Sequence, residues 1–200
     1  MAVRVDYENK TISLSVKDLA MSDFTHGSIV PESSFLPTRA ALGRSIHDEH
    51  QDTRSETIDT YRREVTVKHE MDLSAFHVTI RGRIDGVYEH DGKLVIEEIK
   101  SVFNIESVKR GLEKNEYDAY LRQLQYYIWL LMKETAKEVT GSLVFIAISG
   151  GGVERVEVDY DEKALLEHLQ SRVESIIEEA KLRHEWQLKQ REFARKLEFP

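Results

Sequence analysis

The segment from Arg81 to Lys100 (Arg-Gly-Arg-Ile-Asp-Gly-Val-Tyr-Glu-His-Asp-Gly-Lys-Leu-Val-Ile-Glu-Glu-Ile-Lys) constrains this chain more than any other, because two strand-like runs meet there at Asp91-Gly92. Asp-Gly is a preferred pair for a two-residue type I′ hairpin turn, in which both residues take positive φ. With that pair as the loop, His90 lies opposite Lys93. Counting outward then sets Asp85 opposite Glu98 and Arg83 opposite Lys100, all on one face. Side chains directly opposite stand about 5 Å apart at Cβ, where two carboxylates repel by roughly 3 kcal/mol at an effective dielectric near 20. A bound divalent cation or a shared proton reverses that cost. The same face of the second strand carries Leu94 and Ile96, so an apolar row ends in Glu98 and Lys100. An ammonium beside two carboxylates can orient and help deprotonate a water, or steady a pentacovalent phosphate. Together with a metal ion this is the equipment of phosphodiester hydrolysis.

The rest of the chain supplies a frame for this hairpin. Residues 2–7 and 11–16 alternate as a peripheral hairpin, and 23–37, with Gly27, Pro31 and Pro37, read as a loop. A helix is expected from Thr38 to about His50, a polar stretch over 52–60, and strands over 63–73, 76–89 and 93–102. Helical spacing returns at 107–114 and at 117–134, where Tyr120, Leu121, Leu124, Ile128 and Leu131 form a stripe. The apolar run 142–148 suits a central strand, Gly150-Gly151-Gly152 turns it into a strand over 153–160, and 161–196 form one long helix. The expectation is one domain of α/β class, with residues 1–36 peripheral, a core over 37–160, and the last helix over 161–200.

Two further motifs stand in order around the hairpin: Gly43-Arg-Ser-Ile-His47 before it and Gln123-Leu-Gln-Tyr-Tyr127 after it. With Gly82-Arg-Ile-Asp85-Gly86 and Glu98-Ile-Lys100, they make the sequence resemble the PD-(D/E)XK nuclease superfamily in its Glu-x-Lys form, and within it the RecB-like exonuclease branch. The resemblance implies a restriction-endonuclease-like core of helix, three strands, helix and strand around a mixed sheet. It implies Mg²⁺ or Mn²⁺ held by His47, Asp85, Glu98 and the backbone carbonyl of Ile99, with Asp85, Glu98 and Lys100 catalytic. Gln123 and Tyr127, one helical turn apart, would line the site, and Arg44 would contact a substrate phosphate. The implied substrate is DNA, cut by an exonuclease of repair or recombination, and the ending Phe193–Pro200 resembles the lead-in to a helicase domain of the same polypeptide.

Composition narrows the chemistry. With no cysteine, disulfide scaffolds, thiol nucleophiles and the iron–sulfur cluster of some RecB-like nucleases are excluded, and any metal must be held by oxygen or imidazole. No run approaches the roughly 18 apolar residues of a membrane span, and the N-terminus lacks the pattern of a secretory signal, so a cytoplasmic protein is expected. A net charge of −8 gives no general attraction to nucleic acid, so DNA binding must rest on basic residues around a cleft. Three readings compete with the site as drawn. His50 rather than His47 could be the ligand; His47-Asp48 could be the pair of an HD-type phosphohydrolase, a nearly all-helical fold that the three strands oppose; and a nuclease fold can hold DNA without cutting it. Gly43 costs a helix about 1 kcal/mol, which points to a close approach of another backbone there.

Overall fold

The structure is a computed structural model. It describes residues 3–21, 37–150 and 152–196, the side chains of 37–40 and 195–196 excepted. Twelve elements follow in order: β1 (Arg4–Asp6), β2 (Thr11–Ser15), α1 (Val16–Ala20), α2 (Pro37–Thr57), β3 (Arg62–Leu73), β4 (Phe76–His90), β5 (Lys93–Val102), α3 (Ile105–Glu113), α4 (Asp118–Thr135), β6 (Val139–Ala147), β7 (Val153–Glu157) and α5 (Glu162–Lys196). The expected loop over 23–37 lies outside the described residues, save Pro37. The expected α/β core of helix, three strands, helices and strand is present, and the sheet has seven strands.

Two expectations change in detail. Helix α2 runs to Thr57, past its expected end near His50 and into the polar stretch, because no glycine or proline lies between His50 and Thr57 and its second half is docked through Gln51 and Arg54. The N-terminal hairpin forms one edge of the sheet and is built into it. Its second strand, β2, pairs in parallel with β4 and buries Ile12 and Leu14 in the core. Ser15 then ends β2 and caps α1, its hydroxyl accepting from the Asp18 amide while the Asp18 carboxylate accepts from the Ser15 amide, the reciprocal capping box.

Strand β4, the longest in the sheet, organises the rest. One edge is covered by β3 along nearly its whole length. The other edge pairs with β2 over His77–Arg81 and with β5 over Gly86–His90, leaving residues 82–85 in a gap between two partners. The β4–β5 hairpin has the predicted register from His90↔Lys93 to Gly86↔Glu97, and its turn residues Asp91 and Gly92 have φ of 50° and 78°. There the ladder stops. Asp85 is not paired with Glu98, nor Arg83 with Lys100, so that part of the predicted register is corrected: β5 leaves β4 after Glu97 and continues beside β6.

The cause is visible in the alternation. Ile84 and Val87 both lie in the core, although strict period two would send them to opposite faces. In β3, Val65 packs on the core while Arg63 reaches α2. Both strands therefore change face at one point, Glu64 and Asp85, the one step missing from an otherwise continuous β3–β4 pairing. Glu64 sits there at φ 53°, a left-handed conformation that costs a non-glycine residue about 1–2 kcal/mol.

Helix α4 packs on one face of the sheet and is apolar around most of its circumference: Leu124, Tyr126, Ile128, Trp129, Leu130 and Leu131 are all buried. Helix α2 lies against the other face of β5, close enough that a Cβ at Gly43 would stand 3.1 Å from Ser101 Oγ. Helix α5 buries Leu165, Leu169, Val173 and Ile176, then exposes Leu182 and Trp186. No described helix is long and apolar enough to cross a membrane.

Candidate active site

The gap in β4 is where the predicted residues gather. Asp85 turns its carboxylate across it, and Oδ2 accepts from the Ile99 amide at 2.8 Å, a donor that β5 has free because its ladder with β4 has ended. On the α4 side, Glu98 is 2 % exposed, at the end of the apolar row of Leu94 and Ile96 as predicted. Its Oε1 accepts from Lys100 Nζ at 2.6 Å and from Gln123 Nε2 at 2.7 Å, and the same Nε2 donates to the Tyr127 hydroxyl at 3.3 Å. Gln123 and Tyr127 thus share the face that their spacing predicts. Gly82 makes room for that face, since a Cβ there would collide with the Tyr127 ring. Lys100 Nζ also lies 4.7 Å from the ring centroid of Tyr120, within cation–π range.

Burial sets the protonation states. It pushes the Glu98 carboxyl up to about 7, with Asp85 adding to the rise and Lys100 opposing it. Asp85 is raised by burial too, against the Ile99 amide, Lys100 and His47. His47 is lowered by burial, with Asp85 resisting, and so offers a neutral imidazole. Burial alone would pull Lys100 down, but the Glu98 and Asp85 carboxylates more than reverse this and keep it an ammonium. These mutual influences set His47, Asp85, Glu98 and Lys100 in one electrostatic neighbourhood.

Does this set fit a divalent cation? Among the described residues, no group of three or more His, Cys, Asp or Glu side chains is placed so that it could by itself hold a metal ion. One atom nonetheless asks for a partner: Glu98 Oε2 is buried and has no hydrogen bond. A buried, unsatisfied carboxylate oxygen is costly, and Oε1 of the same group is already engaged. With Asp85 facing the same gap and His47 neutral, the donors are oxygen and imidazole, which suit Mg²⁺ or Mn²⁺. The residues fit.

The second histidine of α2 goes elsewhere. His50 Nε2 is 3.5 Å from Glu97 Oε2, on the opposite face of β5. There Glu97, fully buried, accepts from Arg54 Nη2 at 2.6 Å and Nε at 3.2 Å, from Arg155 Nη1 at 2.6 Å and from the Tyr61 hydroxyl at 3.3 Å. Burial pushes Glu97 up, but His50, Arg155 and Arg54 outweigh it and hold its carboxyl down at about 2. Helix α2 therefore sends Gln51 to the Asp85 carbonyl and the pair His50 and Arg54 to Glu97, while His47, one turn before Gln51, interacts electrostatically with Asp85. Arg44 is exposed and makes no hydrogen bond or ion pair among the described residues.

Sequence reasoning missed Gln51, Glu64, Glu97 and Tyr120. Tyr120, one turn before Gln123, and Gln51, one turn after His47, could have been found from helical spacing. Nothing local marks Glu64, whose carboxylate raises both Asp85 and Glu98.

Comparison with known proteins gives three findings. The sequence profile of the PD-(D/E)XK nuclease superfamily matches residues 21–195. No curated protein matches the sequence. Among solved structures, that of a protein called SSO0001 superposes with a TM-score of 0.56 at 20% identity, over 85% of this chain and 78% of that one, which is a likeness of fold. A chain from Eubacterium rectale named as a candidate exonuclease gives a TM-score of 0.38 at 15% identity, over 69% of this chain and 51% of that one.

Proposed function

The chain belongs to the PD-(D/E)XK nuclease superfamily, and from that premise we propose that it is a Mg²⁺- or Mn²⁺-dependent deoxyribonuclease cutting in the gap between β4 and β5. The observation that carries this reading is the buried, unpartnered Oε2 of Glu98 beside Asp85 and the charged Lys100. Asp85, Glu98, His47 and the Ile99 carbonyl would hold the cation. When bound, the ion supplies Lewis-acid polarisation of the phosphate and a lower pKa for the attacking water.

The protein's own groups do the rest. Glu98 divides its work, with Oε1 fixing Lys100 and Gln123 and Oε2 left for the cation. Lys100, held as an ammonium, is a donor rather than a base. It orients the attacking water and stabilises the charge that grows on the phosphate. Tyr120 below and Glu98 beside it restrict where its Nζ can go. Gln123 and Tyr127 would line the wall facing the substrate strand, and the exposed Arg44 would contact a phosphate. The exonucleolytic mode, the role in repair or recombination, the helicase association and the cytoplasmic setting belong to this proposal through the RecB-like motif set.

The test is cleavage of end-labelled linear and circular DNA, single-stranded and duplex, with Mn²⁺ or EDTA. Wild type should cut only with the ion, spare circles, and lose cutting by at least about a hundred-fold in Lys100→Ala. Equal cutting by wild type, Lys100→Ala and Asp85→Ala would remove the site. A protein that binds DNA and never cuts it would favour a binding module.

A further inference from the structure

Asp85 is anchored at both of its ends, and only one anchor lies in the catalytic strands. Its carboxylate is held by the Ile99 amide. Its backbone carbonyl, at the step where the β3–β4 pairing is interrupted, accepts instead from Nε2 of Gln51 at 2.8 Å. Gln51 is 1 % exposed. The same Nε2 lies 3.3 Å from Glu64 Oε1, and Gln51 Oε1 accepts from Arg63 Nε at 3.2 Å. Glu64 in turn is clamped from outside by Arg83 Nε at 2.6 Å. A chain of contacts, Arg63 to Gln51 to Glu64 to Arg83, therefore crosses the point where both strands change face.

The geometry points to Gln51 as a positioning residue for Asp85, an inference that rests on the nuclease reading above. The reversal at Glu64 and Asp85 costs a ladder step and a left-handed backbone, and such distortions persist only where neighbours over-determine them. Gln51 is suited to this because one amide both donates to the freed carbonyl and accepts from Arg63; an apolar residue of equal length does neither. It lies one turn from His47 on α2. Gln51 touches no reacting atom in this arrangement. It fixes the direction in which Asp85 presents its carboxylate.

The experiment uses the full chain with Gln51→Met, which keeps length and volume, and Gln51→Glu, which keeps the acceptor for Arg63 and removes the donor to Asp85. Mn²⁺ binding is followed by calorimetry, cutting by steady-state kinetics and folding by circular dichroism. Outer contacts of this kind change metal affinity or activity by about 10–100-fold when lost. Both variants should lose at least about ten-fold in kcat and in Mn²⁺ affinity, with KM for DNA within about two-fold. If Gln51→Met does not fold, Gln51→Glu carries the test. Wild-type kcat and Mn²⁺ affinity in a folded variant, even with a lowered Tm, would overturn the inference. Wild-type protein that neither binds Mn²⁺ nor cuts is a separate outcome; it overturns the nuclease reading and this inference with it.

Discussion

Replacing Glu97 with glutamine probes how α2 and β7 are held to β5. Gln mimics the protonated acid, so the pKa of Glu97 measures the change directly. A shift from 4.5 to about 2 corresponds, at 1.36 kcal/mol per unit, to about 3 kcal/mol. The carboxylate is fully buried, so solvent screening takes little from this figure. Both guanidiniums are partly exposed, at 21% for Arg54 and 37% for Arg155, and can rehydrate, which keeps the loss near the low end of the roughly 3–5 kcal/mol for breaking a buried pair. For a chain of this size 1 kcal/mol shifts Tm by roughly 2–4 °C, so Glu97→Gln should melt about 6–12 °C lower at pH 7. The sign with pH follows from the depressed value. The folded protein binds this proton more weakly than the unfolded chain, so the contribution is complete above about 4.5 and is lost as pH falls through about 2. Urea unfolding of both proteins at pH 7, 4.5 and 3 is the assay, with the difference between them shrinking over the last interval. A difference below 0.5 kcal/mol at pH 7 (a threshold of about the usual surface-substitution scatter), or one that does not change with pH, would refute the reasoning and make Glu97 a packing residue.

Three further outcomes follow from the site. Because burial holds the Glu98 carboxyl up at about 7, Mn²⁺ must displace its proton at lower pH; affinity measured by calorimetry should rise from pH 6 to pH 8, with proton release at the lower pH. His47→Ala should weaken Mn²⁺ binding by about ten-fold or more, whereas His50→Ala, facing Glu97, should lower Tm and leave Mn²⁺ affinity unchanged; the reverse result would exchange their roles. Gly82→Ala sets a methyl against the Tyr127 ring and 3.0 Å from Val16 Cγ2, which should cost about 1–3 kcal/mol by urea unfolding, and more if Tyr127 cannot shift.

Much of the site was legible because its parts are local. The i,i+4 spacing of Gln123 and Tyr127 needs only an α-helix, and the spacing of Glu98 and Lys100 only a strand. The Asp91-Gly92 turn carries its own backbone preference, so it fixed the hairpin register as far as Gly86 and Glu97. Where two strands had to part, the same counting failed. A ladder can be extended on paper without limit, and nothing between Arg81 and Lys100 says where it stops.

The stopping point is decided by segments distant in sequence. Strand β2 takes the first half of the β4 edge and β5 the second, and the step left between them is held open by a left-handed Glu64 and by Gln51 of α2. The sequence by itself determined most of the elements and the turn, and singled out Asp85, Glu98, Lys100, Gln123 and Tyr127 as candidates, since each reading depends on neighbours within one helix turn or one hairpin. Only the tertiary structure decided that Asp85 meets the Ile99 amide rather than Glu98, that His50 turns to Glu97, and that Glu97 is a buried anchor beside Glu98. Those choices depend on which helix covers which face of the sheet, a long-range packing outcome that no local pattern encodes.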